Sequence, residues 1–249
     1  AKKAGVEKIV VPGTDVETSK KAVAIAQKFD GIYAAVGIHP HHVKKIQNSK
    51  VKTQNYSVKF KIDEIEKLLT HPKVVAIGEI GIDRHIYKKK YEDYQIDEEF
   101  IDLQKEVFLA QLKLAKKYKK TVIIHNREAK NDLLEVLTNN QSLITNNNLV
   151  FHCCEPDFDL LNFAKKHHIY IGVDGDVTYD RKKQEFVKKI PLSLLVLETD
   201  SPFLTPSPLR KNQKTRFPNT PKNLVIIAKK ILEIKGKKAE KDILKKINE

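Results

Sequence analysis

The chain has no methionine and only two cysteines. Nowhere in its 249 residues does an apolar run approach the ~18 residues that a bilayer-spanning helix requires. The cysteines, Cys153 and Cys154, are adjacent, a spacing that strains a mutual disulfide. A disulfide framework is therefore excluded, and so sparse a use of cysteine points to a reducing, cytoplasmic setting. The first residues, Ala1-Lys2-Lys3-Ala4-Gly5, lack the apolar centre of a secretory signal. Acidic residues are outnumbered, 32 against 46 Lys and Arg, leaving a net charge of +14. That balance suits an anionic partner such as nucleic acid, with the solubility of a Lys-rich surface as the plain alternative. With 41% hydrophobic and 31% charged residues the composition is globular, and the length admits one α/β barrel or two smaller domains.

What is present is a succession of short apolar, β-branched runs, each followed by a segment of helical period. The runs are Lys8 to Val11, Ile32 to Ile38, Val74 to Ile77, Thr121 to Ile124, Leu149 to Phe151, Ile169 to Val173 and Leu194 to Leu197. Runs of this kind read as buried parallel strands. Among the intervening helices, Phe100, Leu103, Val107, Ala110, Leu114 and Tyr118 mark one long amphipathic stripe. Pro156 is expected to open a later helix and Pro221 the last, which Gly236 closes. Ala1 to Glu7 reads as the tail of a helix capped by Gly5. Together with the missing methionine, this predicts that one element precedes the chain.

Alternating βα units of even composition predict a single α/β domain over residues 1–249. Seven strands behind a helix tail match a TIM (β/α)8 barrel without its first strand, at the usual barrel length of about 250 residues. A doubly wound open sheet is the runner-up, but Val11-Pro12-Gly13-Thr14 is too slight for a phosphate-binding turn. Two connections are long, from His39 to about Phe60 and from Asp83 to about Glu98. Five of the ten prolines fall between Pro202 and Pro221, so an irregular, site-building loop is expected there.

Polar residues punctuate the C-terminal ends of these strands, the face on which barrels build active sites. Glu79, His125, His152 and Asp200 together make a nitrogen and oxygen ligand set suited to a divalent ion such as Zn²⁺ or Mn²⁺. One such His reads as a hydrogen-bonded core residue; two His and two carboxylates at equivalent strand ends read as a metal site. His41 and His42 read as solvated loop residues. Cys153 and Cys154 read as a buried, inert pair rather than thiolate ligands.

The blocks Gly37-Ile-His-Pro-His41, Ala76-Ile-Gly-Glu-Ile-Gly-Ile-Asp83, Ile124-His-Asn-Arg-Glu128, Phe151-His-Cys153 and Leu197-Glu-Thr-Asp-Ser-Pro202 occur in this order. They resemble the signature blocks of the TatD family of metal-dependent deoxyribonucleases, within the amidohydrolase superfamily. The resemblance runs along essentially the whole chain, through Arg216-Phe-Pro-Asn219-Thr-Pro221. It implies a TIM barrel, two divalent metal ions (Zn, Mg or Mn) and hydrolysis of DNA phosphodiester bonds. By position, Glu79 would bridge the ions, His125 and His152 would hold the second, and Asp200 the first. The family's His-x-His pair on its first strand has no counterpart here, so weak binding of at least one ion is expected. His39 and Arg127 stand at pocket positions of the family and are expected to bind substrate, with Arg216 a further candidate. The family commonly follows its His-Cys with an aromatic, a hydroxyl residue and Gly; here Cys154-Glu155-Pro156 stands instead.

Two ions about 3.5–4 Å apart activate a water and stabilise a leaving oxygen. Asp200 is expected to orient or deprotonate that water, a pure ligand role being the alternative. Asp83 is expected to orient a ligand from behind it or to cap the loop that follows. The segment Tyr87-Lys-Lys-Lys-Tyr-Glu-Asp-Tyr94 reads as a solvated loop, or as a surface that stacks bases and grips backbone. The expected function is thus a monomeric, cytoplasmic DNase that trims ends. An amide, ester or lactone hydrolase on the same barrel is one rival, since fold and ligands alone do not fix the bond cleaved. A non-catalytic nucleic-acid-binding barrel is the other.

Overall fold

A computed structural model describes residues 1–43, 54–87, 96–145 and 148–236. In chain order the regular elements are β1 (Ile9–Pro12), α1 (Val16–Lys28), β2 (Ile32–Val36), α2 (Gln54–Leu68), β3 (Val74–Asp83), α3 (Glu98–Tyr118), β4 (Thr121–Arg127), α4 (Lys130–Asn139) and α5 (Gln141–Ile144). They continue with β5 (Leu149–Phe151), α6 (Phe158–His167), β6 (Tyr170–Val173), α7 (Arg181–Lys189), β7 (Leu195–Leu197) and α8 (Leu224–Lys235). The chain divides into two compact units, one of residues Val10–Val150 and one of Ala1–Ile9 with the chain from Phe151 onward.

In the first unit the strands lie in the order β1-β2-β3-β4. β2 runs parallel to β3, and β3 parallel to β4 with Gly81 opposite His125 and Asp83 opposite Arg127. The apolar run read from the sequence covers Val74 to Ile77, with Gly78 to Asp83 at its end; the strand itself continues to Asp83. The two glycines do not end it but let β4 approach. A Cβ on Gly78 would meet the Ile123 side chain at 2.5 Å, and one on Gly81, whose φ is 151°, would run into the His125 carbonyl. The register shifts between Ile77 and Ile80, so that Gly81 rather than Glu79 stands opposite His125.

α3 is capped by Asp97, whose carboxylate accepts from the Phe100 amide, with Glu98 and Glu99 in the first turn. Of its predicted stripe, Phe100, Leu103, Val107 and Leu114 are buried, and Ala110 and Tyr118 half-buried. Ile77, Ile80, Ile82, Val122 and Ile124 form the apolar matter of the strands it covers. Arg84, just past β3, ties the strand to two helices, donating to Glu98 and to Asp132.

In the second unit β6 and β7 are parallel, with Ile171 opposite Leu195 and Val173 opposite Leu197. Val173, Val177, Phe186, Val187, Ile227 and Ile231 are buried in this unit. The expected helix start at Pro156 lies slightly downstream, because Asp157 is the residue that caps, accepting from the Asp159 and Leu160 amides. Pro221 opens a short 3-10 turn and α8 follows at Leu224, closed by Gly236 as expected. At the N-terminus only one 3-10 turn precedes Gly5, whose left-handed φ of 83° closes it. Most of the two long connections, 44–53 and 88–95, lies outside the described residues, and with it the Lys88 to Tyr94 segment and the chain's last residues. Among the described residues no helix is long and apolar enough to cross a membrane.

Candidate metal centre

In the first unit the strand ends gather His39, Glu79 and His125, whose candidate ligand atoms all lie within 4.8 Å of one another. Glu79 comes from the middle of β3 and His125 from the adjacent β4. His39 follows β2, where Pro40 starts a 3-10 turn that folds His41 and His42 back. His39 Nε2 stands 4.0 Å from Glu79 Oε2, and its ring lies 4.3 Å, centroid to centroid, from that of His125. Burial first, and then the neighbouring imidazoles of His125 and His41, hold the His39 pKa well below the usual histidine value. His39 is therefore neutral at physiological pH and able to ligate or to donate a hydrogen bond.

Behind this group sits Asp83, fully buried. Its Oδ2 is 2.8 Å from both His125 Nε2 and His41 Nε2, and its Oδ1 accepts from the His85 amide at 2.7 Å. Burial pushes this carboxyl's pKa up, but the hydrogen bonds from His125 and His41 outweigh it and hold the group far below the usual carboxylate range. With Nε2 of His125 engaged, the other ring nitrogen is left to ligate. Two buried glutamines of α3 hold the backbone on which these groups stand. Gln104 accepts from the Asp83 amide and donates to the Asp83 carbonyl; Gln111 does the same for Ile38, the residue before His39.

In the second unit β5 delivers His152 and the chain after β7 delivers Glu198 and Asp200. His152 is held through Nδ1, which lies 2.6 Å from Glu198 Oε2, while its Nε2 faces Asp200 Oδ1 at 3.4 Å. The other oxygen of Glu198 accepts from the Cys153 amide. Gly172 gives this carboxylate its room, because a Cβ there would stand 2.5 Å from Oε1. Asp200 has a left-handed φ of 48°, a strained setting of the kind retained where function requires it.

A model of the family described as TatD related DNase matches residues 1–248. The chain belongs to the TatD-related DNase family. Among its relatives is a protein of Bacillus subtilis strain 168 described as uncharacterized metal-dependent hydrolase YabD. The two are 34% identical over 237 residues, 94% of this chain and 82% of the relative. Escherichia coli K12 TatD, described as a 3′-5′ ssDNA/RNA exonuclease, is 28% identical over 239 residues, 95% of this chain and 83% of its own. The crystal structure of YjjV, a TatD homologue from Escherichia coli K12, superposes with a TM-score of 0.79 at 28% identity. That match covers 98% of this chain and 85% of the other. The α/β class read from the sequence is thus the fold of a TatD homologue, in agreement with the TIM-barrel class.

The sequence blocks typical of the TatD family fall where the donors cluster, but the structure assigns some side chains differently from the first reading. His41 is not a solvated loop residue. The turn that Pro40 starts carries it onto Asp83, leaving its side chain 10% exposed. His42 likewise lies 3.1 Å from Asp15 Oδ2. Arg127, at the end of β4, is exposed and donates to the Tyr87 hydroxyl at 2.8 Å, its guanidinium over that ring. Arg216 lies in the loop after β7, where its carbonyl accepts from Thr205 Oγ1 and its amide donates to Asn212. Cys153 and Cys154 are unpaired thiols, the first half-buried and the second buried, with the Cys154 pKa pushed up to about 12 chiefly by burial.

Glu198, Gln104 and Gln111 escaped the sequence reading. Glu198 had a usable signal: it follows an apolar strand run directly and stands two residues before Asp200, the spacing at which side chains of a strand share a side. The glutamines had none beyond their seven-residue separation, which returns a helix to the same face after two turns.

Proposed function

We propose that this chain is a metal-dependent hydrolase that cleaves DNA phosphodiester bonds, trimming a strand from its end, with residues 1–249 acting as one TIM-barrel domain. The observation that carries this is the meeting of Glu79 and His125 at strand ends with His39 beside them, their donor atoms all within 4.8 Å, in a chain of the TatD-related DNase family. The donor set, imidazole nitrogens with a carboxylate, has the chemistry that divalent Zn, Mn or Mg takes. The proposed ligands for two such ions are Glu79, His125, His152 and Asp200. Relatives described as metal-dependent hydrolases and as a 3′-5′ ssDNA/RNA exonuclease support metal and substrate alike. The unpaired cysteines suit a cytoplasmic setting.

When bound, the ions supply Lewis-acid polarisation of the phosphate and a nucleophile at neutral pH. The chain's own residues do the rest. Asp83 fixes the His125 ring through Nε2, and Glu198 fixes His152 through Nδ1. Asp200 orients the attacking water and takes its proton. His39, neutral, and the guanidinium groups of Arg127 and Arg216 donate to phosphate oxygens.

The test is hydrolysis of bis(p-nitrophenyl) phosphate beside p-nitrophenyl acetate. Nitrophenol release from the diester is expected to stop in EDTA, to return with Mn²⁺, Mg²⁺ or Zn²⁺, and to fall about 10²-fold or more in Asp200→Asn. Release from the acetate alone would move the chain to the carboxyl-ester rival, and release from neither would overturn hydrolysis.

A further inference from the structure

Apart from Arg216, the loop after Asp200 has a composition and a surface that the metal chemistry does not use. From Ser201 to Lys222 it carries Arg210, Lys211, Lys214, Arg216 and Lys222 and not one Asp or Glu. Two phenylalanines within it, Phe203 and Phe217, are each 61% exposed, and their ring centroids lie 6.3 Å apart. Two exposed rings side by side in a basic loop suit a ligand that is both flat and anionic. The rings are also firmly placed relative to the strand end that bears Asp200. Asn219, 3% exposed, donates to the carbonyls of Thr199 and Phe203, while its amide donates to Pro202. Thr205 Oγ1 donates to the carbonyl of Arg216, between the two rings in sequence. Phe203 is therefore held three residues from Asp200 by the hydrogen bonds of buried Asn219 rather than by its own ring.

We propose that Phe203 and Phe217 form a platform on which unpaired bases of a single-stranded nucleic acid stack, with Arg216, Lys214 and their basic neighbours taking the phosphates beside them. The inference rests on the phosphodiesterase reading above and adds what grips the strand. Base faces are accessible to such rings only when unpaired, so the platform selects single strands over duplex. The cations bind without regard to sequence and weaken with salt.

Binding is measured by fluorescence anisotropy of the whole chain with labelled oligo(dT), in EDTA so that the strand stays intact. A duplex and a strand of abasic spacers serve as comparators. Phe203→Ala and Phe217→Ala are each expected to weaken oligo(dT) binding by about 5- to 150-fold. Both are expected to leave abasic-strand and duplex binding as in the wild type, and Phe203→Tyr is expected to keep the wild-type value. Lys214→Gln with Arg216→Gln is expected to weaken all three probes and to flatten the salt dependence. Equal weakening of the oligo(dT) and abasic strands by the ring variants, no weakening, or no binding by the wild type overturns the platform. Wild-type hydrolysis of bis(p-nitrophenyl) phosphate, which has no bases, separates the two readings: its loss sinks the phosphodiesterase, while its persistence beside a failed ring test sinks the platform alone.

Discussion

Glu198 uses both of its oxygens, one against His152 Nδ1 at 2.6 Å and one against the Cys153 amide. A carboxylate accepts at both places, whereas an amide of the same shape has one acceptor and one donor. With Nδ1 donating to Glu198, the Nε2 of His152 keeps its lone pair, the form in which an imidazole ligates. In Glu198→Gln the amide NH₂ must face either the Cys153 amide, where two donors meet, or the ring, where it reverses the tautomer. Mn²⁺ affinity measured by calorimetry is expected to fall about 10- to 100-fold. ¹⁵N shifts of the His152 ring in the metal-free protein are expected to report the reversal. Unchanged affinity with an unchanged tautomer would show that Glu198 only supports the backbone of Cys153. Glu79, His125, His152 and Asp200 stood out in the sequence because each interrupts or ends an apolar run. Glu198 did not, because a carboxylate beside another carboxylate reads as redundant until its partner is seen.

At the scale of elements, α3 does more than cover the sheet. Its two buried glutamines pair with the backbone amide and carbonyl of Asp83, at the end of β3, and of Ile38, just past β2. Gln111→Leu keeps the volume and removes the partners, so it is expected to destabilise by about 1–3 kcal/mol for each of the two Ile38 groups left unpaired. Urea unfolding with an unchanged slope measures this. A loss below about 0.5 kcal/mol, the range of ordinary surface substitutions, would mean that water replaces the amide and no clamp exists. The apolar stripe of this helix was legible from its period, but its buried amides were not, since Gln on a helix is ordinarily a surface residue. Lys183 is hidden for the same reason. In the basic run Arg181-Lys-Lys183 it reads as solvated, yet it is 1% exposed, donating to the Cys154 carbonyl and lying 3.1 Å from Asp176. The strand starts were plain from β-branched runs, whereas the length of β3 was hidden because Gly78 and Gly81 mark close approach rather than a stop.

Across the whole molecule, a net charge of +14 gives a polyanion a favourable approach whatever its sequence, and salt should weaken that approach steeply. Charge alone names no reaction; the ligand-type residues at strand ends and membership of the TatD-related DNase family give it one. The order of the signature blocks along the chain was legible without a structure, because each block is local. The packing of Asp83 against two histidines was not, because it joins residues far apart in sequence. The most direct measurement is digestion of end-labelled single-stranded DNA with Mg²⁺, Mn²⁺ or Zn²⁺ against EDTA, alongside His125→Ala and Asp200→Ala. Shortening from one end that requires a divalent ion and disappears in both variants is the predicted result. DNA left intact with every ion, by protein that still binds metal, would contradict the assignment of phosphodiester cleavage to this site.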